Sequence, residues 1–238
     1  MKTQLRGMVI LALVLVCANF FLPSSSCLAD TITLPAPPDE ADKAAAKGKN
    51  TLQKLVEIDV EVAPILGFHS ADEATDATMK LGRALPIMGV HIDRLKSYTS
   101  EQGIASLFKP TNQFIYPVIV EGKVRSAITV RKSSKTGQWH SAFGAVGAPM
   151  AAEQLNVLDS AFIVRLYAME RWFLGTPRGN KLTVIPISRN PAYKKGVSPE
   201  RAISIGKEES AHDAFMKLAE EAKKFDFTAY KRRHSHTK

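Results

Sequence analysis

Cysteine is almost missing from this 238-residue chain, which has only Cys17 and Cys27. Cys17 lies inside an apolar leader and Cys27 close behind it, so the body of the chain has no cysteine. That excludes a disulfide framework, a thiol nucleophile and a cysteine zinc site. A long hydrophobic run is missing too. Residues 8–22 (MVILALVLVCANFFL) are apolar apart from Asn19, but the run of 15 falls short of the roughly 20 that cross a bilayer core. Lys2 and Arg6 precede it and small residues follow, so 1–29 reads as a secretory signal peptide.

Two cleavage sites compete at Cys27. Cys27-Leu28-Ala29 is a small-x-small site for cutting after Ala29. A lipoprotein peptidase would cut before Cys27 and leave it lipid-modified; Ser26 suits that reading, but Ser24 stands where leucine is customary. The chain is therefore expected to be exported, periplasmic or secreted, with an envelope lipoprotein anchored through Cys27 as the alternative. The remaining 209 or so residues are enough for an ordinary hydrophobic core.

The formal charge of +9 is unevenly spread. Removing Lys2 and Arg6 leaves +7. Residues 223–238 hold Lys223, Lys224, Lys231, Arg232, Arg233 and Lys238 against Asp226, a net of +5, so the body is near +2. Nucleic acid is accordingly disfavoured as a partner. The tail 229–238, ending YKRRHSHTK, reads as a basic, disordered terminus. Its alternative role is contact with an anionic lipid or glycan surface. His234 and His236 lack a rigid third ligand, and no metal site is expected there.

Residues 30–41 are a proline-rich spacer. A helix is expected over 39–57, weakened by Gly48 and Asn50, and a capping box at Ser70–Glu73 predicts another over 71–81, ended by Gly82. From Phe114 the period becomes two. Val124, Ser126, Ile128 and Val130 alternate with Arg125, Ala127, Thr129 and Arg131, and Trp139, Ser141 and Phe143 mark a third strand. With a turn at Gly122-Lys123 this makes an antiparallel meander over 114–143, Pro117 marking an edge or a bulge. A helix over 148–160 follows, then strands at 162–168 and 182–187 separated by the turn residues GTPRGN. A final helix carries Ala211, Phe215, Leu218, Ala219, Ala222 and Phe225, with a Glu220–Lys224 pair outside. The expectation is one α+β domain over 42–228: an antiparallel sheet of about five or six strands, helices mainly on one face.

Catalytic signatures are sparse. Ser106-Leu-Phe-Lys109 and Lys135-Thr136-Gly137 have the form of S-x-x-K and K-T-G elements. Pro110 follows the lysine, however, K-T-G falls in a turn, and no S-D-N element is present. There is no G-x-S-x-G, the glycine pairs at 144/147 and 175/179 lack phosphate-loop spacing, and His69, His91, His140 and His212 are scattered. No cofactor or metal is expected. Two surface candidates remain. Glu170, Arg171 and Trp172 stand near Arg178 and Lys181 in residues 169–182, the residue types that binding hot spots favour, although a strand end packing on its own core has the same composition. Arg125, Arg131 and Lys132 lie on the polar face of the meander. The functional expectation is an exported, non-catalytic binding or structural module with a protein, glycan or membrane partner in the cell envelope. The alternatives are an envelope hydrolase assembled from distant residues such as His91, His140 or Glu170, and an anionic-surface binder acting through the tail.

Overall fold

Asp39, Glu40 and Asp42 place acids at the positive end of the first helix, and Ala, Lys and Leu carry it through Asp39–Ile58 (α1). Gly48, the expected weak point, is a contact. A Cβ there would come within 2.9 Å of the side chains of Ile128 and Ser141, so glycine lets α1 sit close on the sheet. The computed structural model describes residues 32–144, 147–179, 181–189 and 203–226. Ile32 and Leu34 pack against a core cluster, so the later part of the expected 30–41 spacer is docked on the domain.

The capping signal at Ser70 produces only a 3-10 turn, Ala71–Ala74. Glu73 does reach back, its carboxylate accepting from the His69 amide at 2.8 Å, but Ser70 caps nothing. The helix expected over 71–81 is absent because the Thr78 hydroxyl takes the local backbone, donating to the Glu73 carbonyl and accepting from the Thr75 amide. The chain then enters β1 (Lys80–Leu81) and β2 (Leu85–Val90). β2 is buried on both sides, and its unalternating apolar run, punctuated by Pro86 and Gly89, hid it in the sequence.

With the short helices α2 (Ala63–Leu66) and α3 (Ile92–Lys96) before them, the strands β3 (Phe108–Val120), β4 (Lys123–Lys132) and β5 (Trp139–Phe143) form the meander. Val124, Ser126, Ile128 and Val130 are buried, as the alternation requires. Val120 pairs with Lys123, which places the turn on Glu121 and Gly122, both at positive φ, one residue earlier than expected. Pro117 lies on an interior strand. Its carbonyl accepts from Gly82 at 2.8 Å, so its missing N–H faces 82–84, where the ladder passes from β1 to β2.

The second half runs α4 (Gly147–Gln154), β6 (Phe162–Leu166), β7 (Arg171–Arg178), β8 (Lys181–Arg189), β9 (Ile203–Ile205), β10 (Glu209–Ser210) and α5 (Ala211–Lys223). Gly175, Thr176 and Pro177 belong to β7 rather than to a turn; the chain reverses between Arg178 and Lys181, which pair. α4 ends at Gln154, short of 160, though Leu155 and Leu158 still meet the core. On α5, Glu220 makes its close ion pair with Lys223 at 2.6 Å, and the charge of Lys224 also favours its carboxylate.

Among the described residues ten strands share one sheet, in the order β10-β8-β7-β6-β2-β3-β4-β5, with β1 on β3 and β9 on β8. That is larger than the five or six expected, because β2, β7 and the short strands carry no clean alternation of their own. Every pairing is antiparallel except β2 with β6. α1 packs on the β3–β5 half, and α3 and α5 on the β6–β8 half of the same face. α4 covers the opposite face through Ala148 and Ala152, against Leu85, Ile87, Ile115, Ile163, Leu174 and Ile185. Among the described residues no helix is long and apolar enough to cross a membrane.

Candidate functional site

α4 has only eight residues and covers only part of its face. Strand register fixes what lies beyond it. Lys109 on β3 pairs with Gly89 on β2, Gly89 with Arg165 on β6, and Arg165 with Trp172 on β7. Four residues farther along β3, about 13 Å, Gln113 pairs with Arg131 on β4, and Arg131 with His140 on β5. Parity assigns the face: Ile163, Leu174, Ile87 and Ile115, each two residues from a member of this set, all belong to the α4-side cluster. The result is a stripe from His140 to Trp172, five strand steps or about 24 Å long. No helix follows α4 across it among the described residues.

Arg165 is its centre. The guanidinium carbon lies 4.3 Å from the Tyr167 ring centroid and 4.5 Å from that of Trp172. Such stacking is worth roughly 0.5–1 kcal/mol at an exposed site and leaves the in-plane N–H donors free for an oxyanion. Gln113 donates to the Tyr167 hydroxyl at 3.3 Å, steadying the ring from β3. Gly89 keeps the floor low: a Cβ there would stand 3.0 Å from the Thr111 methyl and 3.5 Å from the Tyr167 ring. Thr111 in turn donates to the Ile87 carbonyl at 2.7 Å.

Charge separates this stripe from the other candidates. Among the described ion pairs, none engages Lys109, Arg131, His140 or Arg165. Arg171 turns to the opposite face and meets Glu221 of α5 at 3.2 Å. Arg178 lies 3.4 Å from Glu208, whose carboxyl is held below its ordinary range, first by the Thr183 hydroxyl and also by this guanidinium. Arg125 is largely buried, 3.7 Å from Glu73. Arg178 and Lys181 sit at the far end of β7 and β8, about 20 Å along the strand from Trp172. Glu170 forms the left-handed cap of the 3-10 turn Tyr167–Met169. The structure thus divides the sequence cluster 169–182. It brings Trp172 and Arg131 onto the stripe, and leaves Glu170, Arg171, Arg178, Lys181 and Arg125 off it.

The remaining motifs do not converge. Ser106 is in the 3-10 turn Ile104–Leu107, while Lys135 to Gly137 lie in the β4–β5 loop, with the Ser133 hydroxyl accepting from the Lys135 and Thr136 amides. His91 precedes α3, and His212 shares a 2.8 Å hydrogen bond with Tyr98. Among the described residues no three His, Cys, Asp or Glu side chains could hold a metal ion. The cleft lined by Lys207, Glu208, Glu209, Asp213 and Lys217 carries both signs of charge, unlike the stripe. Cys27, and the tail 229–238 with its histidine pair, lie outside the described residues.

Sequence reasoning did not single out Arg165, Tyr167 and Lys109 as candidate binding residues. Arg165 was readable as the outward residue opposite Phe162, Val164 and Leu166. What assembles the stripe is the parallel pairing of β2 with β6 across some 75 residues, which no local pattern announces. Compared with family models, curated proteins and solved structures, the chain matches none of them.

Proposed function

We propose that this chain is an exported, non-catalytic binding module whose stripe holds an extended acidic glycan of the cell envelope. One observation carries the reading. Four cationic or donor side chains without a described acidic partner stand beyond α4 on a sheet face that no described helix covers there, with Arg165 stacked on Tyr167 and Trp172. Unpaired cations favour an anion, rings favour flat sugar faces, and a length of about 24 Å suits a chain laid across the strands better than a small molecule. The leader supports the envelope setting, since a basic start and a short apolar run direct a chain to export.

The test is calorimetric titration of the intact protein with polygalacturonate, with neutral dextran as the control, at low and high salt. Binding of the acidic polymer alone, weakened by salt and at least tenfold by Arg165→Ala, is expected. Equal binding of dextran, or no change in Arg165→Ala, overturns the reading. Tighter binding of a single-stranded oligonucleotide would reassign the ligand class.

A further inference from the structure

Four of the five large hydrophobic side chains exposed among the described residues fall within residues 55–65: Leu55 (40%), Ile58 (84%), Val60 (62%) and Ile65 (67%). The end of α1, a 3-10 turn (Val60–Val62) and α2 (Ala63–Leu66) together present them as a knob. Exposed apolar groups gathered this way mark contact surfaces. Glu57, Asp59 and Glu61 are interleaved with them and exposed, and no described ion pair neutralises any of the three. Their local bonds spend no cation: Glu57 accepts from Gln53, and Asp59 from the Glu61 amide.

The acids argue against a lipid surface. Sinking Ile58 and Ile65 into a bilayer would press three carboxylates against anionic headgroups. They fit instead a surface that pairs apolar rings with unspent cations, and the stripe of this same chain is one. The knob cannot reach its own stripe. Gly67, the left-handed cap of α2, lies against the Arg125 carbonyl at the start of β4, about 20 Å along that strand from Arg131. Only another molecule can bring the two surfaces together.

We propose that the knob at 55–65 docks on the stripe of a second copy of this chain, joining molecules head to tail. The inference rests on the stripe being an anion-binding surface, as proposed above. Because the contact is heterologous, each copy keeps a free knob at one end and a free stripe at the other, so assembly grows beyond a dimer unless the ring closes. Acidic glycan competes with assembly, both using Arg165.

The test is sedimentation of the intact protein at concentrations up to about 300 µM, where a sub-millimolar Kd is visible. The mass of the wild type should rise above that of the monomer with concentration. Asp59→Lys/Glu61→Lys (knob reversed) and Arg131→Glu/Arg165→Glu (stripe reversed) should each be monomeric, and an equimolar mixture of the two should assemble. Ile58→Ser, at a nearly fully exposed position, should weaken association at least tenfold even if a double variant folds poorly. A monomeric wild type, a mixture that stays monomeric, or an Ile58→Ser protein that associates normally overturns the proposal. The knob-reversed variant retains full polygalacturonate binding, which separates failure of this contact from failure of the glycan reading.

Discussion

The two faces of the sheet use aromatic rings for opposite ends. Toward α1 and α5, Phe215 meets Phe108 edge-on with centroids 5.3 Å apart and lies 5.6 Å from Phe173, all three buried. There the rings fill volume, and their contribution is removal of apolar surface from water. Toward α4, at the row of Arg165, Tyr167 and Trp172 flank a guanidinium instead, and no described helix closes over them. On that face the rings hold a cation ready rather than excluding water. The same side-chain chemistry thus fills the core on one side and, under the glycan-binding proposal, serves a ligand on the other.

That contrast is open to attack at several points. Phe215→Ala should lower unfolding free energy by about 3–5 kcal/mol in a denaturant titration, leaving glycan affinity per folded molecule unchanged. Gly48→Val tests the close seat of α1; its side chain would press on Ile128 and Ser141, and a loss of roughly 1–3 kcal/mol is expected. Arg165→Ala should do the reverse of Phe215→Ala, with stability within about 1 kcal/mol of wild type while affinity falls tenfold or more. Trp172→Ala should fall between them, because Trp172 both stacks on Arg165 and packs against the α4-side core. A Trp172→Ala protein that loses stability but no affinity would return that ring to the core.

The smallest expected effect is on pH dependence. Burial first, then the 2.7 Å hydrogen bond to Asp42, hold the Tyr116 phenol neutral far above the usual tyrosine range. A group whose folded pKa is raised contributes stability below its unfolded value, about 10, and that contribution is lost as the pH climbs beyond it. Tyr116→Phe should therefore flatten the alkaline limb of a stability–pH profile while costing about 1 kcal/mol at neutral pH for the lost bond. An unchanged alkaline slope would contradict the assignment.

Local pattern made part of this molecule legible. The meander was readable because Val124 to Arg131 alternate cleanly, and α5 because Ala211 to Ala222 repeat at helical spacing. β2 was not, since a strand buried on both faces has nothing to alternate, and β7 was obscured by Gly175 and Pro177. The sequence presented Ser70 and Glu73 as a helix start, yet the threonines that follow captured the backbone first. The candidate site was half legible for the same reason. Trp172 and Arg131 stood out by type, but Arg171, equally conspicuous, turns to the other face and is spent on Glu221. Which cations remain unpaired depends on contacts between distant strands, above all the β2–β6 pairing that brings Lys109 and Gly89 beside Arg165.

The most direct measurement is amide chemical-shift mapping of the intact protein during titration with a short oligogalacturonate. The account predicts that the largest shifts fall on residues 109–113, 129–131, 140–142 and 165–172, with 178–181 and the α1 and α5 helices unmoved. Shifts centred on the Arg178–Lys181 hairpin, or spread over the helices while the stripe stays silent, would contradict it.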